Sequence, residues 1–313
     1  MPENLALLLL VCYLADLFLG DPDRWPHPVR LLGTFLGQAE SGARNSGQNL
    51  KVCGFVVLIL GSFLVYWLTS LIISIPILGL VAALYLGYAS LALGCLIRET
   101  RKVQKIIISG DLPRARKSLG LLVSRDTQEL DEQGLYQALA ETAAENYNDA
   151  FCAPFFYLSL LGVPFVWVYK LVSTMDSMWG YKNEKWKDLG LAGARADDIL
   201  AYLPARLGFL SLVGAGFILG LGKKTAFSAM VRDARRTESP NAGWTMAGTA
   251  HLLGTRMGGR ASYFGLAREK PLLGPGLENY SSAKIDQLVS LILTASFLYG
   301  SAFVALAALM AGF

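Results

Sequence analysis

Charge is scarce in this 313-residue chain. Asp, Glu, Lys and Arg make up 17% of it, against roughly 25% in soluble domains. With 53% hydrophobic residues and a mean hydropathy of +0.42, the deficit argues against two ordinary soluble domains and for lipid as solvent. The formal net charge is only +4, and no basic face is interleaved with stacking aromatics, so nucleic acid is excluded as a partner. The four cysteines, Cys12, Cys53, Cys95 and Cys152, stand singly in apolar segments. Neither a disulfide framework nor a CxxC metal site is expected from them. Also absent are GxxxxGK[ST], the kinase strings, GxSxG and HExxH, so a nucleotide would be held without the common cradles. Met1-Pro-Glu-Asn4 lacks a basic n-region, and the first apolar segment is expected to be retained rather than cleaved.

What the chain does have is apolar runs near the ~20 residues a spanning helix needs. Residues 4–20, 52–74, 77–97 and 287–312 qualify, the first barely, with a tight turn at Ile75-Pro76 between the second and third. Residues 151–172, broken by Pro154, Gly162 and Pro164, and residues 199–222, with Pro204 and Arg206, stand between crossing and re-entry. Broken helices at membrane depth are tolerated where they line a cavity, which favours re-entry. The expected fold is a single all-α, polytopic integral membrane domain over 1–313, with polar helical insertions at 98–149 and 223–286. The connections 21–51, 98–149 and 223–286 carry 4, 8 and 10 Lys plus Arg, which places them in the cytoplasm by the positive-inside rule. Asp126-Thr-Gln-Glu129 reads as a capping box opening a helix to about residue 148.

Polar groups recur where hydrocarbon makes them costly, at Asp16, Lys170, Asp176 and Arg206, a pattern that marks working sites. In ETAAENYND, Glu141, Glu145 and Asp149 recur every four residues on one helix face. Their repulsion, about 0.2–0.5 kcal/mol per pair, would be relieved by Mg²⁺, although a solvated acidic face is the plainer reading. In VRDARRTESPNAGW, Arg232 and Arg236 share a face and Arg235 adds a third guanidinium, forks suited to phosphate; setting topology is the alternative. Ser239-Pro240 reads as N-cap and first turn of a new helix. GDPDRWPHPVR holds Asp21 and Asp23 as cation ligands or helix terminators, and His27, more often structural than catalytic. In MDSMWGYKNE, Gly180 marks a tight turn among Asp176, Lys182, Asn183 and Glu184, with Arg195, Asp197 and Asp198 following.

Taken in order, these strings resemble the adenosylcobinamide-phosphate synthase family, integral membrane proteins of cobalamin biosynthesis. The carriers are GDP with PHPVR at 20–30, SRDT at 124–127, ETAAEN with NDAFCAP at 141–154 and YKLVSTMDSMWGYKNE at 169–184. ARADD with LPAR at 194–206, RDARRTESPNAGW at 232–244 and YFG at 263–265 complete the set. The resemblance covers nearly the whole chain. It departs at Ser173, where the family pattern has Asn, and at Ala150, where it has Gly; neither change removes a charge.

The resemblance implies ATP-dependent amide ligation between adenosylcobyric acid, the corrinoid substrate, and 1-aminopropan-2-ol or its O-phosphate, through an acyl phosphate. The implied setting is the cell (inner) membrane, among lipid and other cobalamin-biosynthesis enzymes. Glu141, Glu145 and Asp149 are then expected to hold Mg²⁺. Phosphate and substrate contacts fall to His27, Arg30, Arg125, Lys170, Arg232, Arg235, Arg236, Ser239 and Asn241. Asp176 or Glu184 would take the proton from the attacking ammonium, while Lys182 and Asn183 orient the carboxylate. All these clusters are expected to meet around one water-accessible chamber. Two rivals remain at this level: a transporter of a corrinoid or other organic anion, and a non-catalytic scaffold for neighbouring enzymes.

Overall fold

The computed structural model describes residues 5–21, 27–222, 226–263 and 265–311; Asp23 and Phe264 lie outside them. The chain begins with α1 (Leu5–Leu19), α2 (Pro28–Asn45), α3 (Leu50–Ile73), α4 (Leu78–Ala89) and α5 (Leu93–Ile108). Next come α6 (Leu112–Leu119), α7 (Glu132–Tyr147), a π-helical turn (Asn148–Cys152) and α8 (Ala153–Trp179). The order then runs α9 (Leu191–Leu200), α10 (Tyr202–Ile218), α11 (Phe227–Ala234), α12 (Ala242–Leu253), strands β1 (Met257–Tyr263) and β2 (Leu266–Leu273), and α13 (Ser282–Ala311).

Among the described residues four helical runs are long and apolar enough to cross a membrane: Leu50–Ile73, Leu78–Ile108, Glu132–Trp179 and Ser282–Ala311. Counting the interrupted pair Leu191–Leu200 and Tyr202–Ile218 as one span gives five. The chain is thus a polytopic, essentially all-α membrane protein. The expected first span is α1, which at 15 residues is short of the hydrocarbon thickness.

Two compact units are interleaved in sequence. The first comprises residues 1–94, 153–201 and 300–313. Here α3 turns Phe55, Leu60, Phe63 and Trp67 outward and buries Gly54, Gly61 and Thr69. That division suits a helix facing lipid on one side and close-packed on the other. Gly61 lies against Leu171 of α8 and Phe35 of α2. Asp16, fully buried, accepts the Leu93 and Gly94 N–H groups at 3.0 and 3.3 Å. Its charge therefore sits at the positive end of α5. The expected break in 151–172 is present: α8 is interrupted at Gly162 (φ 76°), two residues before Pro164, a backbone conformation that side-chain-bearing residues avoid.

The second unit comprises residues 95–152 and 202–299. Two expectations change here. First, α7 starts at Glu132 rather than 127, with Asp131 accepting the Gly134 N–H at 2.8 Å as its cap. Asp126 is taken by a distant partner instead: its Oδ2 accepts Ser262 Oγ and the Gly265 N–H, and its own N–H donates to Ser262 O. Second, residues 223–286 are not wholly helical. They contain an antiparallel β1–β2 hairpin with a register irregularity between Met257 and Gly259. Tertiary ties to Asp126 and Glu141 stabilise this pair, which would be marginal alone.

Candidate active site

Within the second unit, α7 places Glu141, Glu145 and Asp149 as mutual electrostatic neighbours, although the π turn takes Asp149 off strict α spacing. The three carboxylates are not equivalent. Glu141 is buried, and both its oxygens are used. Its Oε1 accepts Gln137 Nε2 and the Gly258 N–H, each at 2.8 Å, and its Oε2 accepts Arg125 Nη1 at 2.9 Å. The Arg125 and Glu141 side chains are each 10% exposed. Arg125 Nη2, also buried, has no hydrogen-bond partner among the described residues. Glu145 retains exposed surface yet has charge close by: Lys270 of β2 opposes it, Asp149 and Glu141 repel it. Lys270 Nζ also lies 4.9 Å from the Tyr263 ring centroid.

The arginine segment is braced from below. The helix α11 ends at Ala234, so Arg235 and Arg236 sit in the turn beyond it rather than continuing a shared face with Arg232. Buried Asp233 accepts His251 Nε2 at 2.8 Å and the Gly274 N–H at 3.1 Å. Arg232 and Arg236 approach its other oxygen at 3.9 and 3.7 Å. Burial alone would raise the Asp233 carboxyl. The Gly274 N–H, His251 and Arg232 outweigh it and hold the group below the usual carboxylate range. All three arginines are exposed.

The N-cap of α12 is Asn241, which makes no side-chain cap bond, so the expected N-cap, Ser239, stands two residues ahead of that place. Its Oγ accepts the Asn241 and Ala242 N–H groups at 3.3 Å, and α12 begins at Ala242. Arg206 fixes the same loop from α10. It donates to Asn241 Oδ1 and Pro240 O at 3.2 Å and stacks over Tyr202 and Trp244. Asn241 is thereby buried and oriented.

Within the first unit, α8 carries Lys170 and Asp176, both partly buried. The Gly180 N–H donates to Asp176 O at 2.6 Å. A Cβ at Gly180 would collide with the Asp176 carboxylate, so this turn requires glycine, as its sequence context implies. Asn183 caps the next turn by accepting the Trp186 N–H at 3.2 Å. The Glu184 side chain is 91% exposed and paired with Lys187 at 2.8 Å. Lys182 and Arg195 are electrostatic neighbours of Asp198. His27 caps α2, its Nδ1 accepting the Val29 N–H at 3.3 Å, with Asp21 3.3 Å from Nε2. Arg30 follows in the first turn of that helix, exposed.

Sequence reasoning missed Lys270, Asp233, His251 and Asp126 as supports. Asp233 and Asp126 lay inside matched strings, so the strings were a signal. Nothing local singles out Lys270, which meets Glu145 only through the hairpin. Among the described residues, no three His, Cys, Asp or Glu side chains are grouped as a ready metal cage.

The sequence model described as CobD/Cbib protein matches residues 9–292. The chain is 38% identical to the cobalamin biosynthesis protein CobD of Clostridium perfringens, over 93% of this chain and 94% of that protein. It is 37% identical to the protein of that name in Listeria monocytogenes, covering 91% and 92% of the two chains. The Citrobacter koseri relative, with the same name, is 36% identical over 96% and 97%. No solved structure matches the chain. A match of this length, whose span includes every charged string described above, identifies the chain as a member of the CobD/Cbib family.

Proposed function

We propose that this chain is the amide-forming enzyme of cobalamin biosynthesis in the cell (inner) membrane, an adenosylcobinamide-phosphate synthase. It joins the free carboxylate of adenosylcobyric acid to 1-aminopropan-2-ol or its O-phosphate at the expense of ATP, with Mg²⁺. The observation that carries the reading is the division of labour around α7 and α11. Glu141, Asp233 and Arg206 are consumed by internal bonds, which hold neighbouring charged groups in place at exposed positions. Such bracing is what preorganised electrostatic catalysis needs.

The residues fit the implied cation in a specific way. With Glu141 neutralised by Arg125, Glu145 and Asp149, the latter accepting Asn148 Nδ2 at 2.8 Å, are the carboxylates assigned to a hard divalent ion. Mg²⁺ commonly takes one or two carboxylates plus phosphate oxygens and water, so a three-residue cage is not required. Bound ATP supplies an activated phosphoryl group that makes the substrate carboxylate a competent acyl donor. Arg232, Arg235 and Arg236 neutralise phosphate oxygens, and the spare Nη2 of Arg125 offers one more donor. Ser239 and Asn241 shape the loop beside the arginines.

In the other cluster, Asp176 takes the proton of the attacking ammonium. It is preferred to Glu184, whose carboxylate stands in solvent, paired with Lys187. Lys170 and Lys182 meet the corrinoid's carboxylate and amide rim. Arg30 adds a cation at the α2 end, while His27 and Asn183 act by fixing their turns.

The test is a ligation assay on detergent-purified protein with adenosylcobyric acid, aminopropanol phosphate and Mg-ATP, read by mass detection of amide and nucleotide products. Glu145→Gln should abolish Mg²⁺-dependent product formation while leaving the melting profile unchanged. Full activity in that variant would remove Glu145 from the metal site. Corrinoid accumulation in proteoliposomes without covalent change would replace the enzyme reading by transport.

A further inference from the structure

A groove of about 480 Å³ between α5 and α6, within the second unit, belongs to none of the machinery above. Arg98, Arg101, Lys102 and Lys105 line one wall. Their i, i+3, i+4, i+7 spacing sets four cations on a single face of α5. Arg114 of α6 adds a fifth from the other wall. Two of the five are already partnered, Arg101 by Asp286 and Gln104, and Lys102 by Glu99. Among the described residues the side chains of Arg98, Lys105 and Arg114 have no carboxylate or hydrogen-bond partner. Topology signalling alone needs cations near a span, not cations gathered in a cleft.

The walls between the cations are apolar. Ile97 and Ile106 line the groove, and Ile108 at the end of α5 (59%) and Leu121 in the turn after α6 (83%) are exposed. Along the chain, this stripe is where the run Leu78–Ile108 changes from hydrocarbon-compatible to charged, the depth at which lipid headgroups lie. Cationic rim, apolar wall and interfacial position together match one ligand chemistry, and the geometry points to a bound anionic phospholipid. Its phosphate lies among Arg98, Lys105 and Arg114, and the upper part of its acyl chains lies along Ile97, on the apolar side of the cations. A soluble polyphosphate would use the cations but not the apolar walls.

Native mass spectrometry of the full-length protein, mixed with equimolar phosphatidylglycerol and phosphatidylcholine, tests this. The wild type should retain phosphatidylglycerol preferentially, and Arg98→Gln/Lys105→Gln/Arg114→Gln should lower that enrichment at least tenfold, since each interfacial cation contributes to anionic-lipid affinity. Photoactivatable phosphatidylglycerol on the wild-type protein should label peptides within 93–119, a readout independent of whether the triple variant folds. Equal enrichment in the variant, or labelling confined to other helices, overturns the assignment. Displacement of the lipid by millimolar pyrophosphate also overturns it, in favour of a soluble polyanion.

Discussion

The Arg125–Glu141 pair gives the sharpest separation of scaffold from chemistry. Both side chains are nine-tenths buried, so removing one charge strands the other in a poorly solvated place, a cost of about 3–5 kcal/mol. Glu141→Gln keeps the shape and one acceptor oxygen but leaves the Arg125 guanidinium unneutralised. For a unit of about 150–250 residues each kcal/mol moves Tm about 2–4 °C, so a fall on the order of 10 °C is expected. Arg125→Met should cost a similar amount. The double variant Arg125→Met/Glu141→Gln should be less destabilised than the sum of the singles, by on the order of 1–3 kcal/mol. It will not return fully, because the glutamine amide N–H₂ takes the place of the oxygen that faced Arg125 and finds no acceptor on a methionine at position 125. The measurement is a double-mutant cycle by thermal melting in one detergent, with ligation activity of each variant measured well below its Tm. If Glu141 is a support, the double variant keeps its dependence on Mg²⁺ concentration. Unchanged melting in Glu141→Gln, or independent additive effects, would refute the buried-pair argument. A lost Mg²⁺ response at full folding would return Glu141 to the metal site.

Other outcomes follow from single contacts. Gly180→Ala forces a methyl against the Asp176 carboxylate; ligation should fall at least tenfold while the far-ultraviolet spectrum is unchanged, and wild-type activity would show that Asp176 is not held by this turn. Asp233 has a depressed folded carboxyl, so its stabilisation is complete above the ordinary value near 3.8 and is lost as pH falls from there through the folded value. The Tm gap between wild type and Asp233→Asn should therefore be constant from pH 7 to 5 and narrow below about pH 4, and a gap that widens in acid would contradict the sign. Asp126→Ala removes the acceptor for Ser262 and Gly265; amide hydrogen exchange should rise across 257–273 more than across α7, and uniform protection would show that the hairpin stands without this tie.

The apolar runs and the break at Gly162 were legible because lipid imposes length and helicity, and φ 76° needs glycine. Residue types at the site were legible as strings, and Gly180 performed its local role, whereas the N-cap of α12 fell at Asn241 rather than Ser239. The roles of Asp126 and Glu141 were not readable. Each looks like a local helix residue, one in a capping box and one in an acidic stripe. Each is instead bonded to a hairpin more than a hundred positions later. The hairpin itself was hidden because its residues, MGGRASY and LAREKPLL, show little alternation of apolar and polar types. Helical continuity from Arg232 to Arg236 also failed as an expectation, since the turn after Ala234 is set by Asp233 bonding back to Gly274 and His251.

The bond from Glu141 to the Gly258 N–H spans 117 positions, and the unit that contains it is interrupted by residues 153–201. A ribosome adding 5–20 residues per second needs about 6–23 s to deliver the partner after Glu141 emerges. For that interval the nascent chain carries an acidic α7 lacking its later clamp while apolar segments are already entering the bilayer. Quality-control proteases and insertion chaperones thus have a window set by gene order alone.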